Sequence, residues 1–103
     1  MHTPEFFNKI GKGHLPEHLG IVITEVNSGR VRAEFIVQPQ LLAPNGFLHA
    51  GSVVTLADTC AGYGCIANMP QSASGFTTVE LKSNHLGTAL EGVVECVASA
   101  AHL

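Results

Sequence analysis

Charge is scarce in this sequence. Asp, Glu, Lys and Arg make up 13% of the 103 residues, about half of the roughly 25% usual in soluble domains. Basic residues are fewer still: five Lys plus Arg stand against eight Asp plus Glu, a formal charge of −3. No basic stripe exists to follow a phosphate backbone, which excludes nucleic acid as a partner on electrostatic grounds. A polybasic membrane patch is missing for the same reason. Long apolar runs are missing too, since stretches such as Ser52–Ala57 and Val93–Ala98 fall far short of a bilayer span. Met1 to Asn8 has no charged segment followed by an apolar one, so no signal peptide is read there and the cytoplasm is the expected compartment.

Cysteine is sparse and unpaired by number. Cys60, Cys65 and Cys96 form no CxxC, so a disulfide framework is not expected, and buried thiols in a reducing compartment are. The histidines are more numerous: His2, His14, His18, His49, His85 and His102. His14 and His18 are four apart, but Gly13 and Pro16 argue against a regular helix there. No further Cys or His stands at a zinc-like offset, so no metal is expected.

What is present is apolar: 46% of residues in a chain the size of one domain, 1–103. A small domain buries a smaller share of its surface than a large one. With so little charge, this one is expected to bury surface against another subunit.

Residues 1–10 predict a short helix, with Thr3 as N-cap, Pro4 in the first turn, and Phe6, Phe7 and Ile10 as its apolar members. Ile21–Val26 is β-branched and predicts a strand. Asn27-Ser28-Gly29 turns the chain into Arg30–Val37. There Val31, Ala33, Phe35 and Val37 alternate with Arg32 and Glu34, the period of a strand. Pro39, Pro44, Asn45 and Gly46 make a loop. Ala50 to about Asn68 then lacks proline and repeats apolar residues at three to four positions, predicting a helix roughly 30 Å long. Its one charge is Asp58, and its second half is rich in Ala61, Gly62, Gly64 and Ala67. Such a helix is expected to be buried centrally. Phe76–Asn84 and Leu90–Ala98 predict two further strands. The fold class is α+β, a sheet around one long helix.

Two places carry candidate chemistry. A carboxylate inside an apolar helix loses hydration, and its pKa rises unless it is paired. Asp58 is therefore either a base or nucleophile in a cleft, or a solvent-facing residue bonded locally. The stretch Asn45-Gly46-Phe47-Leu48-His49-Ala50-Gly51-Ser52 leads into the helix. Small residues there allow a ligand close to free helix N–H groups, which suit an oxyanion. The plainer alternative is an ordered loop with Ser52 as helix cap.

Asn45-Gly46-x-x-His49-Ala50-Gly51 followed by Val54-x-Leu56-Ala57-Asp58-Thr59 resembles the signature of hotdog-fold acyl-CoA thioesterases, in particular the phenylacetate-pathway type. That pattern is Gly-x-x-His-Gly-Gly with an acidic residue nine positions after the His, the spacing of His49 and Asp58. The likeness also takes in the preceding hairpin and Gly75–Leu81, so it spans most of residues 15–100. Ala50 replaces the first Gly. Ala43 stands where the family often has Asn or Gln, and Asn45 lies four before His49.

The resemblance implies an antiparallel hotdog sheet around one long helix, and hydrolysis of an acyl-CoA to acid and CoA. Asp58 then corresponds to the catalytic base or nucleophile, and the backbone N–H near Gly51 to the oxyanion donor. His49 shapes the loop and polarises the thioester, while Thr78 orients water. Asn45, Ala50, Ser52 and Phe76 are the expected substrate contacts. CoA is substrate, no cofactor is required, and the site lies between subunits of a homodimer or homotetramer. Hotdog domains continue for two more strands after Leu90–Ala98, so the last two are expected to be missing here. This motivates a second reading, a truncated or non-catalytic hotdog protein that binds an acyl or CoA ligand or serves as an oligomeric scaffold. A hotdog dehydratase uses a different Asp/His arrangement.

Overall fold

A computed structural model describes residues 2–67, 78–83 and 92–99, the segment 78–83 as backbone. Helix α1 runs Pro4–Ile10, opened by the Thr3 hydroxyl, which accepts from the Phe6 N–H at 3.1 Å. Of its three apolar residues only Phe7 is buried, while Phe6 and Ile10 stay exposed. A single turn, α2, spans Leu15–His18. Pro16 there occupies the first turn, where its missing N–H costs nothing. This short turn was not expected from the Gly and Pro around it.

Strands β1 (Val22–Asn27) and β2 (Arg30–Ile36) form the expected hairpin. Gly29 takes φ +84° at its turn, a value that other residues adopt at a cost. A register shift between Ile23 and Glu25 bulges β1. A short 3-10 turn, α3 in chain order, follows at Pro39–Leu41. The long helix, α4, runs Ala50–Ala67. β3 (Thr78–Ser83) and β4 (Val93–Ser99) complete a four-stranded antiparallel sheet in the order β1-β2-β4-β3.

The core lies between α4 and one sheet face. Val31, Ala33 and Phe35 alternate inward from β2, and Val94, Cys96 and Ala98 do so from β4. The helix meets them with Ser52, Leu56, Cys60 and Gly64, a series at intervals of four. The Cys60 thiol donates to the Val31 carbonyl at 3.2 Å. Cys60, Cys65 and Cys96 are all free thiols, the first and last of them buried.

Complete burial of the long helix does not follow. Its opposite series, Val54, Asp58, Gly62 and Ile66, is open, with Val54 63% and Ile66 41% exposed. One chain supplies one sheet face, and that face can cover only one side of a helix. None of the described helices is long and apolar enough to cross a membrane.

Candidate active site

The site is built on the start and the open face of α4. The chain enters the helix through a tight loop. Gly46 takes φ +90°, the Asn45 side-chain oxygen accepts from the Phe47 N–H at 3.1 Å, and Leu42 bridges to Leu48. The Leu41 carbonyl then accepts twice, from the His49 N–H at 3.0 Å and from the Ser52 hydroxyl at 2.9 Å. These two bonds fix where the helix begins.

His49 is the hinge of that start. Its backbone carbonyl accepts from the Ser52 N–H at 3.0 Å, and its ring Nδ1 accepts from the Gly51 N–H at 2.7 Å. A nitrogen that accepts carries no proton, so the neutral ring holds its proton on Nε2 and can donate from there. Gly51 must be small for this. A Cβ built on it would lie 2.9 Å from His49 Nδ1 and 3.1 Å from Cε1. With the Gly51 and Ser52 groups engaged, the Ala50 N–H is the first-turn donor with no partner among the described residues. Sequence reasoning placed the oxyanion donor near Gly51. In this geometry the Gly51 N–H is already taken by the histidine, one residue beyond the unengaged donor.

Asp58 stands two turns further along. It is exposed, and no hydrogen bond or ion pair holds it among the described residues. Seven positions after Gly51, it lies on nearly the same helix face and about 10 Å along the axis. It borders a groove of about 440 Å³ whose walls include Leu15, Pro16, Val54, Gly62 and Ile66. Gly62, one turn beyond Asp58, has nothing within 4 Å of where a Cβ would be, so its lack of a side chain leaves the groove open.

The structure thus brings His49, Ala50, Gly51 and Asp58 to one exposed face. Asn45 lies on the entry loop, with its side chain engaged by Phe47. Ser52 does not join them. It is buried on the opposite face, and its hydroxyl ties the helix to Leu41 beneath the site. Thr78 is the first residue of the edge strand β3, and Phe76 lies outside the described residues. Tyr63 borders the groove and also stacks on Phe7, with ring centroids 4.5 Å apart. No group of three His, Cys, Asp or Glu side chains that could hold a metal ion occurs among the described residues.

Residues 45–103, from the entry loop onward, match the Thioesterase superfamily. The chain belongs to that family, with the hotdog fold of its solved members. It is 32% identical over 89 residues to a 1,4-dihydroxy-2-naphthoyl-CoA hydrolase of Listeria monocytogenes, covering 86% of this chain and 72% of that one. The protein of the same name from Escherichia coli is 32% identical over 104 residues, covering 98% and 74%. A mutant of the Pseudomonas aeruginosa thioesterase PA1618 superposes with a TM-score of 0.72 at 28% identity, over 100% of this chain and 74% of that one. The chain is accordingly a hydrolase of the thioester class.

Proposed function

We propose that this protein hydrolyses acyl-CoA thioesters to a free acid and CoA, at sites shared between subunits. The observation that carries the reading is the position of Asp58. Its carboxylate is exposed and unengaged on the face that also presents the helix start. Yet about 13 Å of helix axis separates it from His49, too far for both to act on one carbonyl. Two copies facing each other across their open α4 faces bring the helix start of one to the Asp58 of the other. The exposed Val54 and Ile66 supply the apolar surface that such contact buries.

In that arrangement the thioester oxygen lies at the first turn of α4. The Ala50 N–H and the positive end of the helix dipole meet the charge that develops on it. The His49 Nε2–H donates to the same oxygen, while the bond from Gly51 holds the ring. Asp58 takes the proton from a water attacking the carbonyl carbon, or attacks that carbon itself. The C–S bond then breaks and CoA leaves as the thiol, taking its proton from Asp58 when water attacks and from solvent when Asp58 attacks; in the second case a water then opens the acyl–Asp58 anhydride to the free acid and the carboxylate. Thr78 positions the water, and Asn45 lies at the mouth as a substrate contact. No cofactor enters this chemistry, and the expected compartment is the cytoplasm, in keeping with the free thiols.

Thiol release from a panel of acyl-CoAs, measured for the natural protein and for Asp58→Asn, tests the reading. Turnover by the first and a loss of at least a hundredfold in the second is the expected result. Equal rates overturn the role of Asp58, and no turnover with any thioester supports a ligand-binding or scaffold protein instead.

A further inference from the structure

Behind the groove lies a second space. Helix α1, the turn α2 and strand β1 enclose a half-open, largely apolar cavity of about 300 Å³. Phe7, Ile21, Val22 and Ile23 form much of its wall. Two residues, Pro16 and Tyr63, border both this cavity and the Asp58 groove. The two spaces are therefore neighbours divided by a proline ring and a tyrosine. Tyr63 is half-buried, and its hydroxyl has no partner among the described residues. Burial pushes its pKa up, so it remains a neutral phenol.

The walls of the cavity are held in place. The Asn8 side chain bonds both backbone groups of Ile23, donating at 3.0 Å and accepting at 2.8 Å, which pins α1 to β1. Phe7 is fully buried and stacked on Tyr63. An empty apolar space in a small domain has a cost, because its lining atoms lose their contacts. Here the lost contacts lie beside the groove of a proposed catalytic carboxylate.

We infer that this cavity receives the far end of the substrate's acyl group, and that the acyl group is a flexible aliphatic chain of medium length. The inference rests on the thioesterase reading and deepens it. A cavity of about 150 Å³ accommodates benzene, so this half-open one has room for roughly six carbons of chain. The groove from Asp58 to Tyr63 adds about 7 Å along the helix axis. Together they suit a chain of about ten carbons. A ring is disfavoured because Phe7 and Tyr63 already stack on each other, leaving fewer free aromatic faces for an aryl group. The proline ring and tyrosine that divide the two spaces also leave a narrow boundary that a flexible chain can cross more readily than a rigid bicycle. Tyr63 and Val22 are then specificity-determining residues.

The test compares kcat/KM for straight-chain acyl-CoAs of four to fourteen carbons, with phenylacetyl-CoA and 1,4-dihydroxy-2-naphthoyl-CoA beside them. Three variants are used. Val22 is 49% exposed on the edge strand, so Val22→Phe adds bulk at the cavity wall with little risk to folding. Tyr63→Ala removes the partition, and Tyr63→Phe removes only the hydroxyl. The natural protein should prefer chains near ten carbons over both aryl substrates. Val22→Phe should lower the decanoyl-to-butyryl ratio on the order of a hundredfold, since each buried methylene is worth about fourfold. Tyr63→Ala should move the optimum to longer chains, and Tyr63→Phe should leave it in place. Ratios that stay within twofold in both Val22→Phe and Tyr63→Ala overturn the inference, as does preference for an aryl substrate. Calorimetry with the non-hydrolysable thioethers S-decyl-CoA and S-butyl-CoA separates this result from the fate of the thioesterase reading. If hydrolysis is absent, a decyl preference that is lost in Val22→Phe still supports the chain cavity, and equal binding of the two thioethers overturns it.

Discussion

The Gly51 N–H donates to Nδ1 of His49 at 2.7 Å, and a side chain on Gly51 would occupy the space of that ring. One hydrogen bond thus sets the tautomer of the histidine, the conformation of the first turn of α4 and the need for glycine at position 51.

Gly51→Ala therefore acts through His49. The new methyl forces the ring out of its present position and breaks the bond. A loss in kcat of tenfold or more is expected, with the fold retained. Nitrogen NMR of the His49 ring should report the change, as the fixed Nε2–H tautomer gives way to a mixture. An unchanged tautomer with full activity would show that this bond does not prepare the site.

Asp58→Asn separates activity from stability. The carboxylate is exposed and makes no bond among the described residues, so the urea midpoint should move by no more than about 0.5 kcal/mol in free energy. Activity should fall by 10²–10⁴, the usual range for a general base. If Asp58 is the nucleophile and water opens the mixed anhydride at the Asp58 carbonyl, a single turnover in ¹⁸O-water places the label on the Asp58 carboxylate. If it is the base, the label appears in the released acid alone.

Ser52→Ala should do the reverse. It removes a buried hydroxyl bonded to the Leu41 carbonyl, and a loss of about 1 kcal/mol is expected in denaturant titration. The Leu41 carbonyl keeps its bond from the His49 N–H, so the entry loop should persist and activity should fall by less than a few-fold.

Alkaline pH should destabilise the fold through Cys96. The hydrogen bond with Cys60 and then burial push its pKa well above the ordinary 9.0. The same hydrogen bond holds the Cys60 thiol below its ordinary value, so above pH 9 the folded pair keeps one proton where two unfolded cysteines keep none. The stability that this proton contributes is complete below about pH 9 and is lost as pH rises beyond it. The urea midpoint should fall from pH 9 to pH 10, and Cys96→Ala should flatten the decline. A midpoint that rises from pH 9 to 10 would contradict the assignment.

The sheet was legible where its side chains alternate. Val31, Ala33 and Phe35 face the core as their period requires, and the Thr3 and Pro4 signals opened α1 at the expected place. Boundaries shifted where the backbone, rather than the side-chain pattern, decides. β4 begins at Val93 because Gly92 takes φ +103°, a break that Leu90 and the valines do not announce. The turn α2 was hidden because Gly13 and Pro16 mark both a loop and a helix start. For α4, apolarity all round implied burial all round. The pattern cannot say that one chain covers only the Leu56 and Cys60 side. The same gap hid the exposure of Asp58, which motif spacing had located, and the inward turn of Ser52, which it had not. The chamber behind Tyr63 depends on α1 folding back over β1, a tertiary contact that no local pattern encodes.

The most direct measurement of a site shared between subunits is complementation. His49→Ala and Asp58→Asn are each prepared as inactive proteins, then unfolded, mixed in equal amounts and refolded together. If one copy supplies the helix start and another the carboxylate, random pairing makes half of the dimers mixed. One of the two sites in each mixed dimer is then intact, so activity should return to about a quarter of the natural level. Activity that stays at the level of the separate variants would contradict the shared site and place His49 and Asp58 in independent roles.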